Sequence, residues 1–136
     1  MYQKMEVIGR LGRKPEMRYT PSGAAVTSFS VATDNKYKNS AGEQVKETVW
    51  FRVQVWGNMA EACNTYLDKG SLVFVSGRMV ADKATGGPKT FKKQDGTTSC
   101  NFEINSSEVK FLSTKTEHTQ TEQVSPNDAP PEDMPF

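Results

Sequence analysis

Lys46-Glu47-Thr48-Val49-Trp50-Phe51-Arg52-Val53-Gln54-Val55-Trp56-Gly57 is the stretch on which the fold of this chain turns. Side chains of a strand alternate between its two faces. Val49, Phe51, Val53 and Val55 fall on one side, the composition of a barrel interior. Thr48, Trp50, Arg52, Gln54 and Trp56 fall on the other. β-Branched and aromatic residues dominate, as a pleated surface prefers. Immediately afterwards the period changes. Asn58 stands where a helix cap would, with Glu61 three residues on as in a capping box. Met59, Ala62, Cys63, Tyr66 and Leu67 form an apolar stripe at helical spacing, and Gly70 is placed to end the helix.

Upstream, residues 5–12 read as a first strand. Thr20-Pro21-Ser22-Gly23 is a turn between Met17-Arg18-Tyr19 and a second strand over residues 25–35, and Asn39-Ser40-Ala41-Gly42 is a loop. Downstream, residues 72–80 are a fourth strand and residues 101–112 a fifth. Between them, residues 82–98 form a long polar loop, read as a β-ribbon with turns at Gly86-Gly87-Pro88 and Asp95-Gly96. Three strands, a helix and two strands predict an all-β chain. Its architecture is an OB-fold Greek-key barrel of five strands, with one short α-helix between strands three and four.

At 136 residues the chain suits one domain plus a tail. The boundary falls at residue 112. Residues 113–136 are rich in Thr, Gln, Glu, Ser and Pro, too polar to offset the entropy of ordering, so this segment is expected to be a disordered acidic linker and tail. The formal net charge of +1 hides a segregation. Residues 1–115 hold all 17 Lys and Arg against 11 Asp and Glu, a net of +6; residues 116–136 hold five acidic residues and no Lys or Arg. A basic body with an acidic tail points to a polyanion partner. Cys63 and Cys100 stand alone, without the spacing of a zinc site or a disulfide framework, and fit a reducing compartment. No apolar run is long enough to span a membrane, and the start Met1-Tyr2-Gln3-Lys4 opens no signal peptide, so the expected location is the cytoplasm.

Trp50 and Trp56 are the only tryptophans, and both fall on the outward side of the third strand. Large exposed aromatics mark binding surfaces. Nucleobases stack on indole rings whatever their identity, and Arg52 between the two rings can reach a phosphate. Lys36-Tyr37-Lys38, placed in the loop after strand two, sets an aromatic between cations, and Thr90-Phe91-Lys92-Lys93 does so again in the long loop. Together these describe one groove in which Trp50, Trp56, Tyr37 and Phe91 alternate with positive charge. Lys4 and Lys83 extend the cationic set. Arg10, Arg13, Lys14 and Arg18 cluster near the first strand and read as general field, with Arg18 added to the backbone-contacting group. No catalytic set is present: the single histidine, His118, lies in the tail, and no metal or cofactor site is expected, so the chain does not read as an enzyme.

These residues resemble the bacterial single-stranded DNA-binding proteins. Val7-Ile8-Gly9-Arg10-Leu11-Gly12 and Pro15-Glu16-Met17-Arg18-Tyr19 look like that family's opening. Val31-Ala32-Thr33, Thr48-Val49-Trp50-Phe51-Arg52-Val53, Trp56-Gly57-Asn58-Met59-Ala60-Glu61, Tyr66-Leu67-Asp68-Lys69-Gly70-Ser71 and Val75-Ser76-Gly77-Arg78 follow in order. The tip Glu132-Asp133-Met134-Pro135-Phe136 resembles the family's acidic end, with Met134 where Ile is usual. The resemblance implies a homotetramer that binds single-stranded DNA without sequence preference in replication, recombination and repair, and a tip that recruits partner proteins. It implies stacking by Trp50 and Trp56, backbone contact by Arg52 and Lys69, and a stacking role for Tyr37. Ala84 stands where some members carry a stacking Trp, a role that Phe91 can take over. The rival readings are a protein-interaction scaffold, a primosome accessory protein and an RNA-binding protein. The origin is equally compatible with a bacterial nucleoid and with a phage or mobile element.

Overall fold

The computed structural model describes residues 1–113. The expected linker, His118 and the tip from Glu132 to Phe136 lie outside the described residues. The elements are β1 (Met5–Leu11), β2 (Glu16–Tyr19), β3 (Ala25–Lys38), β4 (Gln44–Trp56), α1 (Asn58–Tyr66), β5 (Leu72–Met79), β6 (Thr90–Lys92), β7 (Thr98–Cys100) and β8 (Phe102–Phe111). β1, β5, β8, β4 and β3 pair in that order, and β3 returns to β1 through Arg10↔Ala32 and Leu11↔Val31. That last pairing closes a five-stranded barrel, the OB architecture expected. Among the described residues only the β4–β8 pairing is parallel. β2 continues the edge of β3 beyond β1, pairing Glu16↔Ser28 through Tyr19↔Ala25. β1 and β2 therefore act as one strand bent at residues 12–15.

Period-two alternation fills the interior. Phe29 and Val31 of β3, Phe51, Val53 and Val55 of β4, Val73 and Val75 of β5, and Ile104 and Val109 of β8 meet there. α1 contributes Cys63 to this core and the residue after it contributes Leu67, and the Thr27 hydroxyl donates to the Ala60 carbonyl at 2.6 Å.

Three local expectations are corrected. Asn58 is the first helical residue, not the cap. The cap position is Gly57, at φ 71°, with no side-chain hydrogen bond, and its N–H is already committed to the Ala25 carbonyl. A strand that must turn at once into a helix needs a left-handed residue there, which only glycine adopts freely. The helix also stops before Gly70. Leu67 leaves in extended conformation, which carries its side chain into the core.

The third correction concerns the β3–β4 hairpin. Its pairing runs without interruption from Val26↔Trp56 to Lys38↔Gln44. Lys36-Tyr37-Lys38 is thus strand, not loop. The outer half of the hairpin projects past the barrel as an arm, so Val49, expected inside, is 36% exposed. At the arm's tip the Asn39 side-chain carbonyl accepts from the N–H groups of Ala41 and Glu43, at 3.0 and 2.9 Å, and holds the turn. The ribbon expected in the long loop is β6–β7, a separate two-stranded sheet registered Phe91↔Ser99.

Candidate nucleic-acid interface

Register across β2, β3, β4 and β8 arranges the outward side chains in rows. Arg18, Val26 and Trp56 share one row. Glu16, Ser28, Gln54 and Asn105 share the next, then Ser30, Arg52 and Glu103, then Ala32 and Trp50. Where β4 offers large groups, β3 offers Ser28, Ser30 and Ala32. This mismatch in size leaves a furrow floored by small residues and walled by indole, guanidinium and amide groups.

Trp50 is 52% exposed and Trp56 44%. Six residues of strand separate them, roughly 20 Å, so one base cannot touch both rings. Val26 stands on this side yet is buried, with Arg18 and Trp56 as its register partners on the two neighbouring strands. Trp50 lies over Gly12, and with Arg13 and Ser30 the two line a recess of about 320 Å³. Next to it, Arg13, Lys14, Glu16, Ser28, Phe29, Ser30 and Arg52 line a polar recess of about 120 Å³. Lys69 follows α1 in a turn pinned to the end of β1. There the Gly70 N–H donates to the Leu11 carbonyl at 2.8 Å, and the Leu11 N–H donates to Ser71 at 3.0 Å. Lys69 therefore flanks the wall on which Trp50 rests.

The remaining expected residues are more dispersed. On the arm, Lys36 and Lys38 share the outward face with Trp50, whereas Tyr37 projects to the opposite face with Val45 and Val49. The Tyr37 phenol donates to Glu47 at 3.0 Å, and that hydrogen bond and negative charge push its pKa up. Asp34 accepts from Thr48 at 2.7 Å and pairs with Lys46 at 3.5 Å. The hydrogen bond foremost, aided by Lys46, holds its carboxyl below the usual range. Phe91 is exposed on the ribbon with Lys92, ahead of Lys93 in the turn, and Lys83 lies in the segment leading to it. Lys4 lines a different recess, with Tyr2, Arg78 and Ser107, and pairs with Glu6 at 3.1 Å, which raises its pKa. The structure thus gathers Trp50, Arg52, Trp56, Arg18, Lys36 and Lys38 on one face. It leaves Tyr37 behind the arm, Phe91 on the ribbon and Lys4 elsewhere.

Five residues of the face were given no specific role from the sequence: Gly12, Ser28, Ser30 and the Arg13-Lys14 pair. The available signal was the run Ser28, Ser30, Ala32 alternating with apolar Phe29 and Val31, three small residues in a row on one side of a strand. Among the described residues no group of three His, Cys, Asp or Glu gathers as a metal site, and no helix is long and apolar enough to cross a membrane.

Residues 2–112 match the single-strand binding protein family. A single-stranded DNA-binding protein of Neisseria meningitidis serogroup A is 37% identical over 116 residues, covering 85% of this chain and 63% of the relative. Single-stranded DNA-binding protein 1 of Chlorobaculum tepidum is 40% identical over 90 residues, covering 63% of this chain and 56% of the relative. The chain therefore spans less than two thirds of these relatives' length, at 63% and 56%. Among solved structures, a Plasmodium falciparum SSB complex with ssDNA superposes with a TM-score of 0.68 at 25% identity, over 83% of this chain and 97% of that one. A deletion mutant of the single-stranded DNA binding protein from Thermus aquaticus superposes with a TM-score of 0.62 at 25% identity, over 81% of this chain and 50% of that one.

Proposed function

The chain belongs to the single-strand binding protein family, and on that premise we propose that it binds and protects single-stranded DNA without sequence preference, with no catalytic step. The observation that carries this reading is Trp50 and Trp56, half-exposed on one outer face with Arg52 between them. Indole faces accept any base, and a guanidinium accepts any phosphate, so neither contact reads sequence. Trp50 and Trp56 are the principal stacking groups. Arg52, Arg18, Lys69, Lys36 and Lys38 hold backbone around them. Phe91, with Lys83, Lys92 and Lys93, engages a strand that leaves the barrel toward the ribbon. Tyr37 takes a base where that strand passes around the arm, and Lys4 holds backbone where it reaches the start of β1.

Residues 1–112 act as the binding domain, and residues 113–136 as a linker with a partner-binding tip at Glu132, Asp133, Met134, Pro135 and Phe136. An acidic end with a terminal aromatic offers a charge and a ring to a basic-rimmed pocket. The partners are replication, recombination and repair proteins of the bacterial cytoplasm. The protein works as a homotetramer. Exposed Ile8 and Leu112, together with Phe74 and the Lys110–Glu108 ion pair, line a recess on the β1–β5–β8 wall, away from the indoles, and support self-association there.

Quenching of tryptophan emission by oligo-dT across a salt series tests the function directly. Saturable quenching, with an affinity that falls linearly in log salt, is the expected result. Unchanged emission, or equal affinity for matched RNA, would overturn it.

A further inference from the structure

The two recesses on the furrow are contiguous, and they share Arg13 and Ser30. One is walled by the Trp50 indole over Gly12; the other is lined by Arg13, Lys14 and Arg52 together with Ser28, Ser30 and Glu16. Building on the single-strand reading, we propose that together they form a seat for one nucleotide, with its base against Trp50 and its phosphate held by Arg13, Lys14 and Arg52.

The chemistry of the lining supports this. Among the described residues none of the three cations is in an ion pair, whereas Lys4, Lys46 and Lys110 each are. Three positive charges share the lining with one carboxylate, Glu16, and Glu103 stands beside Arg52 on the neighbouring strand, which leaves the cations in excess. Like charges brought together around a small polar hollow repel unless an anion enters. A diester accepts hydrogen bonds and donates none, and the serine hydroxyls beside these cations can donate. Arg13 and Lys14 sit in the bend between β1 and β2, and Arg52 comes from β4, so the barrel's closure brings the set together. The seat differs from a diffuse basic field in having a fixed occupancy: one phosphate, adjacent to one stacked base.

The test compares wild type, Arg13→Gln/Lys14→Gln, Trp50→Ala and the triple variant, each titrated with one fluorescently labelled oligo-dT by anisotropy over a salt series. Loss of one phosphate contact should flatten the log–log slope by about 0.7, the increment per phosphate for single strands. Because base and phosphate belong to one nucleotide, the Trp50→Ala penalty should be several-fold smaller in the Arg13→Gln/Lys14→Gln background than in wild type. An unchanged slope, a change near twice that size, or penalties that simply multiply would each overturn the seat while leaving single-strand binding intact. Wild-type protein that fails to bind oligo-dT overturns the function, and the seat with it.

Discussion

The outer ring of Trp50 rests on Gly12: a Cβ added to the glycine would stand 2.5 Å from the indole Cζ3 and 2.7 Å from Cη2. The Gly12 backbone does not demand glycine; the ring above it does. Gly12→Ala should therefore swing the indole off its floor. Affinity for oligo-dT falls and the Trp50 emission changes, while the melting temperature moves little because the ring lies outside the core. Wild-type affinity in a folded Gly12→Ala protein would show that the ring's position is immaterial.

Trp50→Ala and Trp56→Ala should each weaken oligo-dT binding by about 1–3 kcal/mol. Stacking neutralises no phosphate, so the salt slope should stay as in wild type. Fluorescence anisotropy at several salt concentrations separates this from a lost cationic contact. A flattened slope would mean that the ring acts by positioning a neighbouring cation.

Cys63 sits buried against the barrel interior, and burial pushes its thiol up to about 12 from 9.0. The unfolded chain would ionise this thiol first. Its contribution to stability is complete below pH 9 and is lost progressively as pH rises toward about 12. Cys100 is exposed on the ribbon. Native protein should accordingly release one equivalent in a thiol titration at neutral pH and two in denaturant. Two fast equivalents from native protein would contradict the burial of Cys63.

Leu67 is fully buried and enters the core because α1 ends one residue before it. Leu67→Ala should cost about 2–5 kcal/mol in denaturant unfolding. The folded fraction should bind oligo-dT as wild type does, since the furrow lies on the opposite side of the β3 and β4 backbones.

Removal of Asp133, Met134, Pro135 and Phe136 should spare oligo-dT affinity at moderate salt and abolish capture of partner proteins. Pull-downs from a bacterial lysate with full-length and shortened chains, compared by mass spectrometry, check both halves. Identical catches would refute the role of the tip.

The barrel was readable because its strands have an inside. Phe51, Val53 and Val55 alternate with Arg52, Gln54 and Trp56, and that alternation names both the core and the exposed indoles. The arm was not readable for the converse reason. Past Val49 neither face of the hairpin meets a core, so Lys36-Tyr37-Lys38 carries no period-two signal and resembles a loop. The helix start was misplaced because Asn58 and Glu61 satisfy a cap pattern that Gly57 pre-empts by its turn geometry. The recess of Arg13, Lys14 and Arg52 was hidden for a different reason. The Arg13-Lys14 pair and Arg52 are distant in sequence and meet only when the barrel closes.

Beyond the barrel, the arm is held by the pairing of its own two strands and by the Asn39 turn. It can therefore open from the tip without loosening the rest of the molecule. Amide hydrogens near Asn39 should exchange with deuterium well before those of Val53 or Val75, and at a rate insensitive to global stability. A chain built this way can retune the reach of its grip by changing hairpin length, leaving the domain's unfolding equilibrium as it was.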